Sequence, residues 1–176
     1  MQQLISLCKR TFGPGMDDEE AKSHITGGDD IFVARDNSGK CIGFAVSELK
    51  HDGNCKLLVF GGAAVDREYQ NNGLYKSLNG QRISLAADLG CTSIMTRTQN
   101  PCVERGILDA MEEAKDAGVI SAYALSERKM QIGAYGRMLT QEKPLSNDTI
   151  LNKEYAKLNY GRGDAYELYF AIGVNA

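Results

Sequence analysis

The sequence predicts a mixed α/β fold in which a mostly antiparallel central sheet is flanked by helices and carries one parallel pair of strands near its middle. Three observations predict it. Residues 31–35, 41–48 and 56–65 are apolar runs separated by short turn-rich stretches, and connections this short join antiparallel neighbours. A strand, a leucine-spaced helix and a second strand then follow in order, which implies a crossover and a parallel pair. Two further strands are expected near residues 132–140 and 166–172.

Each element has a local cause. Leu4, Ile5 and Leu7 lie in a short helix that ends by Gly13, Pro14 and Gly15. Asp17 followed by Glu20 resembles a capping box and opens a second helix, which runs to about Thr26 before Gly27, Gly28, Asp29 and Asp30 break it. Residues 36–39 have the composition of a hairpin turn, as do residues 51–54. Between them Ile42, Phe44 and Val46 alternate onto one face. After Gly73, Leu74, Leu78, Leu85 and Leu89 recur at helical spacing, and Gly90 suits the C-terminal cap. Residues 92–97 form a short apolar strand. Asn100 and Pro101 then start a helix, Asn as cap and Pro in the first turn, with Val103, Ile107, Ala110, Met111 and Ala114 as its buried stripe and Gly118 as its close. Residues 144–163 are polar and turn-rich, with a short helix at 151–158. No repeat or linker divides the chain, so residues 1–176 are expected to form one domain.

Composition narrows the function. A chain of 176 residues is expected to bury about 70% of its unfolded surface, enough for a real core. A net charge of -3 gives no global field for nucleic acid or anionic lipid. No apolar run is long enough to span a bilayer, and the N-terminus has its apolar patch before its charges, the reverse of a secretory signal. Cys8, Cys41, Cys55, Cys91 and Cys102 are scattered, and His24 and His51 are the only histidines, so no metal site is expected. Reduced thiols fit a cytoplasmic setting.

The most informative stretch is residues 61–78. Gly61, Gly62, Ala63, Ala64 and Val65 end a strand with small residues, Asn71, Asn72 and Gly73 make a turn, and an amphipathic helix begins. Free backbone N–H groups at such a helix start suit a phosphate, so a ligand with a pyrophosphate comes first to mind. Glycine inside a strand often marks a bulge or a close backbone approach. The plain alternatives are an ordinary Asn-Gly turn and a strand end packed beneath a helix. Glu48 follows Val46 by alternation, so its carboxylate ends an apolar row; the plain alternative is a solvated acid near His51 and Asp52. Cys102 lies in the first turn of its helix, where a dipole lowers a thiol pKa, against the alternative of a small buried residue.

The order of elements around this turn resembles the GNAT superfamily of acyl-CoA N-acyltransferases, over residues 31–119. That family carries a loop of the form Gln/Arg-x-x-Gly-x-Gly/Ala between its fourth strand and third helix. Here the loop is Gln70, Asn71, Asn72, Gly73, Leu74 and Tyr75, which matches at the first four positions and places Tyr75 where the family has a small residue. No clear first strand precedes the two opening helices. The resemblance implies a V-shaped split between two central parallel strands and acetyl-CoA as cofactor. It would assign the pyrophosphate to the loop from Gln70 to Tyr75, the pantetheine to the main chain of Ala63, Ala64 and Val65, and a further contact to Asn100. It also implies direct attack by an amine in a ternary complex, with a backbone N–H at Val65 polarising the carbonyl.

Amine acetylation needs a neutral nucleophile, and Glu48 is the candidate base, acting directly or through water. The family's tyrosine, two helical turns past the asparagine, is absent: Ile107 and Leu108 stand there, and Val119 follows Gly118 where the family often has Phe. Tyr75, Tyr123 and Tyr135 are possible substitutes, and Glu48 with Tyr135 makes the catalytic pair to test. Expected partners are a small-molecule or peptide amine and a second copy in a homodimer, with no nucleic acid and no membrane. A non-catalytic acyl-CoA-binding regulatory module is the alternative that the missing tyrosine favours, and a domain binding another nucleotide is the third.

Overall fold

The computed structural model describes residues 1–13, 15–53, 55–140 and 142–174. Pro14 and Asn54, which fall in two of the expected turns, lie outside the described residues. Six strands are present among them: β1 (Asp30–Arg35), β2 (Cys41–Asp52), β3 (Cys55–Val65), β4 (Ser93–Thr98), β5 (Ile120–Gln131) and β6 (Ala165–Val174). They hydrogen-bond in the order β1-β2-β3-β4-β6-β5. The first three form the antiparallel meander, β3 and β4 are parallel, and β6 lies antiparallel between β4 and β5.

Among the described residues five α-helices flank the sheet: α1 (Gln2–Phe12), α2 (Asp18–Thr26), α3 (Leu74–Asp88), α4 (Pro101–Asp116) and α5 (Thr149–Tyr155). The Asp17 side chain caps α2 by accepting from the Glu20 N–H at 2.8 Å. Phe44, Val46 and Ala64 pack with Ile5, Leu7 and Ile25 of α1 and α2 on one face of the sheet. On the other face, Leu58, Phe60, Ile94, Leu168 and Phe170 bury against Ile83 of α3 and Ile107 and Met111 of α4. The split between cores follows from β2, whose successive side chains alternate: Ala45 turns to Leu78 of α3 while its neighbours face α1 and α2.

Two expectations need correction. The strand expected at residues 132–140 is instead β5, at Ile120–Gln131, and the stretch after it is turn. Gly133 and Gly136 sit at φ 65° and 67°, incompatible with a continuing strand, while β5 is an edge strand whose many polar residues and register shift at Leu125–Glu127 hide its alternation. The buried stripe of α3 is also not the leucine row. Leu78, Asn79, Arg82, Ile83 and Ala86 are buried, whereas Leu85 and Leu89 only border the core.

The feature that positions a site is where β3 and β4 part. Their parallel pairing runs from Leu57↔Ser93 to Phe60↔Thr96 and stops. Beyond it β3 stays with β2 as far as Val65, and β4 stays with β6 as far as Thr98. A bulge drives them apart: Ser47 pairs with Phe60 and Ala45 with Ala63, so Val46 alone faces both Gly61 and Gly62. Gly62 has no room for a side chain, because a Cβ there would collide with the His24 carbonyl of α2.

Candidate functional site

The split has open hydrogen-bonding groups along its β3 arm. The Asp66 N–H donates to the Ile42 carbonyl at 2.8 Å, which fixes the alternation of the β2–β3 ladder. Ala64 therefore exchanges bonds with Phe44, and the N–H groups of Ala63 and Val65 turn away from β2, into the split. Of the three residues proposed to hold a pantetheine chain, Ala64 is thus committed to the sheet and the other two face the opening. The Val65 carbonyl accepts from Gln70 Nε2 at 3.0 Å and Thr11 Oγ1 at 3.4 Å. Gln70 accordingly shapes the loop by tying it back to the strand end.

The loop then delivers the chain to α3. Asn71 adopts φ 62° and Gly73 φ 77°, both left-handed, a conformation that Asn and Gly tolerate and other residues resist. Gly73 is the N-cap of α3 and offers no side chain, so the first N–H groups of the helix, from Leu74 and Tyr75 onward, are left uncapped. Residues 70–73 are exposed, and this end carries the positive pole of a helix of 15 residues. The Leu74 side chain turns inward against Gly43, so only its backbone faces the loop. Uncapped N–H groups at a helix start suit an anion in general, and an unpaired strand edge suits an added extended chain.

The remaining predicted residues are less concentrated. Asn100 caps α4, its Oδ1 accepting from the Cys102 N–H at 2.9 Å, which is the plain reading of its Asn-Pro context. Glu48 lies one pair before the bulge, opposite Val59, with its side chain 38% exposed and paired to Lys50 Nζ at 3.1 Å. Tyr135 sits in the turn after β5 and donates its hydroxyl to the Arg97 carbonyl at 2.8 Å, on the β4 arm just past the last parallel pair. Burial pushes its phenol up to about 12. No contact joins Glu48 to Tyr135 among the described residues. Tyr123 is directed elsewhere, donating to Glu112 Oε2 at 2.6 Å. Cys102 is no activated thiol: desolvation raises its pKa, and its Sγ lies 3.1 Å from the Leu145 carbonyl.

Sequence reasoning missed the polar groups that brace the site. Arg97 meets Glu167 at 2.8 Å across β4 and β6, and Gln99 holds the loop after β5 through Arg137 O (3.1 Å) and Leu139 N (3.0 Å). Arg137 in turn grips Glu20 of α2 with two contacts of 2.7 Å. Its partner lies 117 residues away, and nothing local in either segment announces the pairing.

Residues 1–106 match the acetyltransferase (GNAT) family. The chain belongs to that family. The match reaches back over both opening helices, which the motif-based resemblance left outside. Among solved structures, the ribosomal-protein-S18-alanine N-acetyltransferase from Escherichia coli is similar at 15% identity and TM-score 0.62, over 99% of this chain and 89% of that one. An acetyltransferase from Bacillus subtilis in complex with CoA is similar at 16% identity and TM-score 0.54, over 96% and 91%. An aminoglycoside 6'-acetyltransferase type Ii is similar at 13% identity and TM-score 0.55, over 96% and 86%. At these identities the structures establish the shared fold alone. No curated protein matches the chain in sequence. As a GNAT family member it is an acyltransferase that uses acetyl-CoA. Among the described residues no helix is long and apolar enough to cross a membrane.

Proposed function

We propose that this chain transfers the acetyl group of acetyl-CoA to the nitrogen of an amine, directly and within a ternary complex. One observation carries the reading. The uncapped N–H groups at the start of α3 and the N–H groups of Val65 and Ala63 that turn away from β2 belong to segments packed in one cluster, and together they suit a pyrophosphate, a pantetheine and a thioester carbonyl. Gln70, Asn71, Asn72 and Gly73 shape the phosphate end, and the Val65 N–H polarises the carbonyl. Asn100 flanks the cofactor arm from the N-terminus of α4.

Glu48 takes the nitrogen's proton through water, since its carboxylate stands one pair from the bulge and remains hydrated. Tyr135 is protonated at neutral pH and can return a proton to the departing sulfur, a role that requires its hydroxyl to leave the Arg97 carbonyl. The acceptor is a small amine, a peptide N-terminus or an aminoglycoside-like antibiotic.

Calorimetric titration with acetyl-CoA, and separately CoA, tests the donor site. Binding is expected in the native chain and is lost in Gly73→Val, whose side chain opposes the φ of 77°. A polyamine, a short peptide with a free N-terminus and an aminoglycoside then serve as acceptor probes. On whichever is acetylated, Glu48→Gln is expected to lower kcat by about 100-fold with acetyl-CoA affinity unchanged. Binding without turnover of any acceptor would leave a non-catalytic module, and no binding would sink the reading.

A further inference from the structure

A positive charge lies buried under α3 with no negative charge to balance it among the described residues. Arg82 is 1% exposed, and no carboxylate there pairs with it. Buried ions are held by partners of opposite sign, because loss of water penalises the charged form. Three contacts hold this one without supplying a charge. The guanidinium lies 4.0 Å from the centre of the Phe60 ring, the last β3 residue to pair with β4. Nη1 donates to the Val46 carbonyl at 3.4 Å, and Nη2 donates to Asn79 Oδ1. A ring face, a carbonyl and an amide oxygen each offer partial charge only.

The polar atoms left unpaired around this cation can all donate. Arg82 Nε, Asn79 Nδ2 and Ser47 Oγ are buried with no partner among the described residues. They belong to one place. Asn79 and Arg82 are three residues apart on α3 and share a face of it. Ser47 pairs with Phe60 across β2 and β3, so its hydroxyl stands on the same face of the sheet as the ring that the guanidinium covers. The Asn79 amide cannot be turned over to make its free end an acceptor, because Nδ2 would then meet Nη2, donor against donor. Ser47 and Asn79 are fully buried, so bulk water does not serve them.

We propose that Arg82, Asn79 and Ser47 form an internal binding site for one small anion, a halide of the size of chloride. An acceptor carrying a single negative charge matches three free donors and one unbalanced positive charge together. A water molecule matches them less well: it brings two hydrogens of its own to a place already rich in hydrogens, and it leaves the charge unbalanced. Sulfate or phosphate brings excess charge and more bulk than the packed interface between α3 and the sheet suits. The position gives the anion a role. Nη1 holds the Val46 carbonyl at the bulge that parts β3 from β4, so the anion fixes the guanidinium that fixes the bulge. This site goes beyond the acetyl-transfer reading and does not depend on it.

The test uses the full chain and two salts. Thermal unfolding is followed while sodium chloride replaces sodium gluconate at constant ionic strength. The native chain is expected to gain several degrees in Tm along a saturating curve, as a ligand bound only by the folded state requires. Arg82→Met, unbranched and apolar, is expected to unfold at a temperature that the exchange of salts does not move. In gluconate it should be no less stable than the native chain, since it removes an unbalanced buried charge. Ser47→Ala keeps the cation and should raise the half-saturating chloride concentration by about tenfold. It carries the test if Arg82→Met does not fold. Crystals grown in sodium bromide should show an anomalous scatterer within hydrogen-bond distance of Arg82 Nε, Asn79 Nδ2 and Ser47 Oγ. A chloride response shared equally by the native chain and Arg82→Met, a response that never saturates, or a water at the cluster in the bromide crystals overturns the proposal. None of these readouts involves coenzyme A, so the acetyl-transfer reading stands or falls separately, in the titration with acetyl-CoA.

Discussion

Arg82 and Glu104 are both buried on the face covered by α3 and α4, yet only one of them is balanced. Glu104, in the first turn of α4, accepts from Arg128 Nη2 of β5 and from the Tyr155 hydroxyl of α5 at 3.0 Å. That network joins three elements, and removing the acid strands a cation of which only a quarter of the side chain is exposed. Breaking such a pair from one side costs about 3 to 5 kcal/mol, so Glu104→Ala is expected to lower unfolding free energy by that amount in urea titration. Removing both partners, with Arg128→Met added, should recover part of the loss. A cost below about 1 kcal/mol would mean the pair is solvated. At this scale, legibility followed sequence distance. Asn100 beside Pro101 announced a helix start, and the structure places its side chain on the Cys102 N–H. Arg82 announced nothing, because its meaning lies in Phe60 and Val46, far upstream on two strands.

The elements that build the site are short on side chains and depend on backbone shape. Gly61 and Gly62 put two residues opposite Val46, and the extra residue bends β3 away from β4. At Gly62 the limit is steric: a methyl group would be driven into the His24 carbonyl, so either α2 must lift or the bulge must flatten. Gly62→Ala is therefore expected to lower Tm by several degrees, the shift that about 1 to 3 kcal/mol produces in a chain of this length. A calorimetric scan checks this; Gly61→Ala, where the nearest atoms are 3.5 Å or more away, is the control. The glycines were legible as a bulge because they interrupt an otherwise apolar run. Strand β5 was not legible, since its exposed edge carries Glu127, Lys129 and Gln131 where an interior strand would alternate. The turn after it contains Ile132, Tyr135 and Met138, apolar enough to pass for a strand until Gly133 and Gly136 take positive φ. Tyr135 was thus expected on a strand and is held by a loop.

Across the whole molecule, the sheet is two blocks joined along four parallel pairs, from Leu57↔Ser93 to Phe60↔Thr96. One block is β1, β2 and β3, and the other is β4, β6 and β5. The order of elements made the parallel seam predictable, because a helical crossover joins parallel strands, while the split beyond it was expected from the family resemblance. What order could not supply is the second tie, Arg137 of the loop after β5 gripping Glu20 of α2. The seam has a dynamic consequence. Ala63 and Val65 point their N–H groups at an opening instead of at a strand, while Phe44 and Ala64 beside them are paired. Amides without a partner exchange with solvent readily, whereas ladder amides wait for the strand to open. In hydrogen exchange followed residue by residue, Ala63 and Val65 should exchange far faster than Ala64, against the usual smoothness of protection along a strand. Acetyl-CoA, by pairing with that edge as an added strand would, should slow these two amides and those of Gly73, Leu74 and Tyr75 specifically, and give the β1–β2 ladder no more than the general gain in stability. Ligand at 100 times its Kd stabilises the folded state by about 2.7 kcal/mol, so a uniform rise in protection across all slow amides is also expected and must be subtracted. Protection confined to that uniform rise, with Ala63 and Val65 no slower than before, would show that the donor lies somewhere other than in the split.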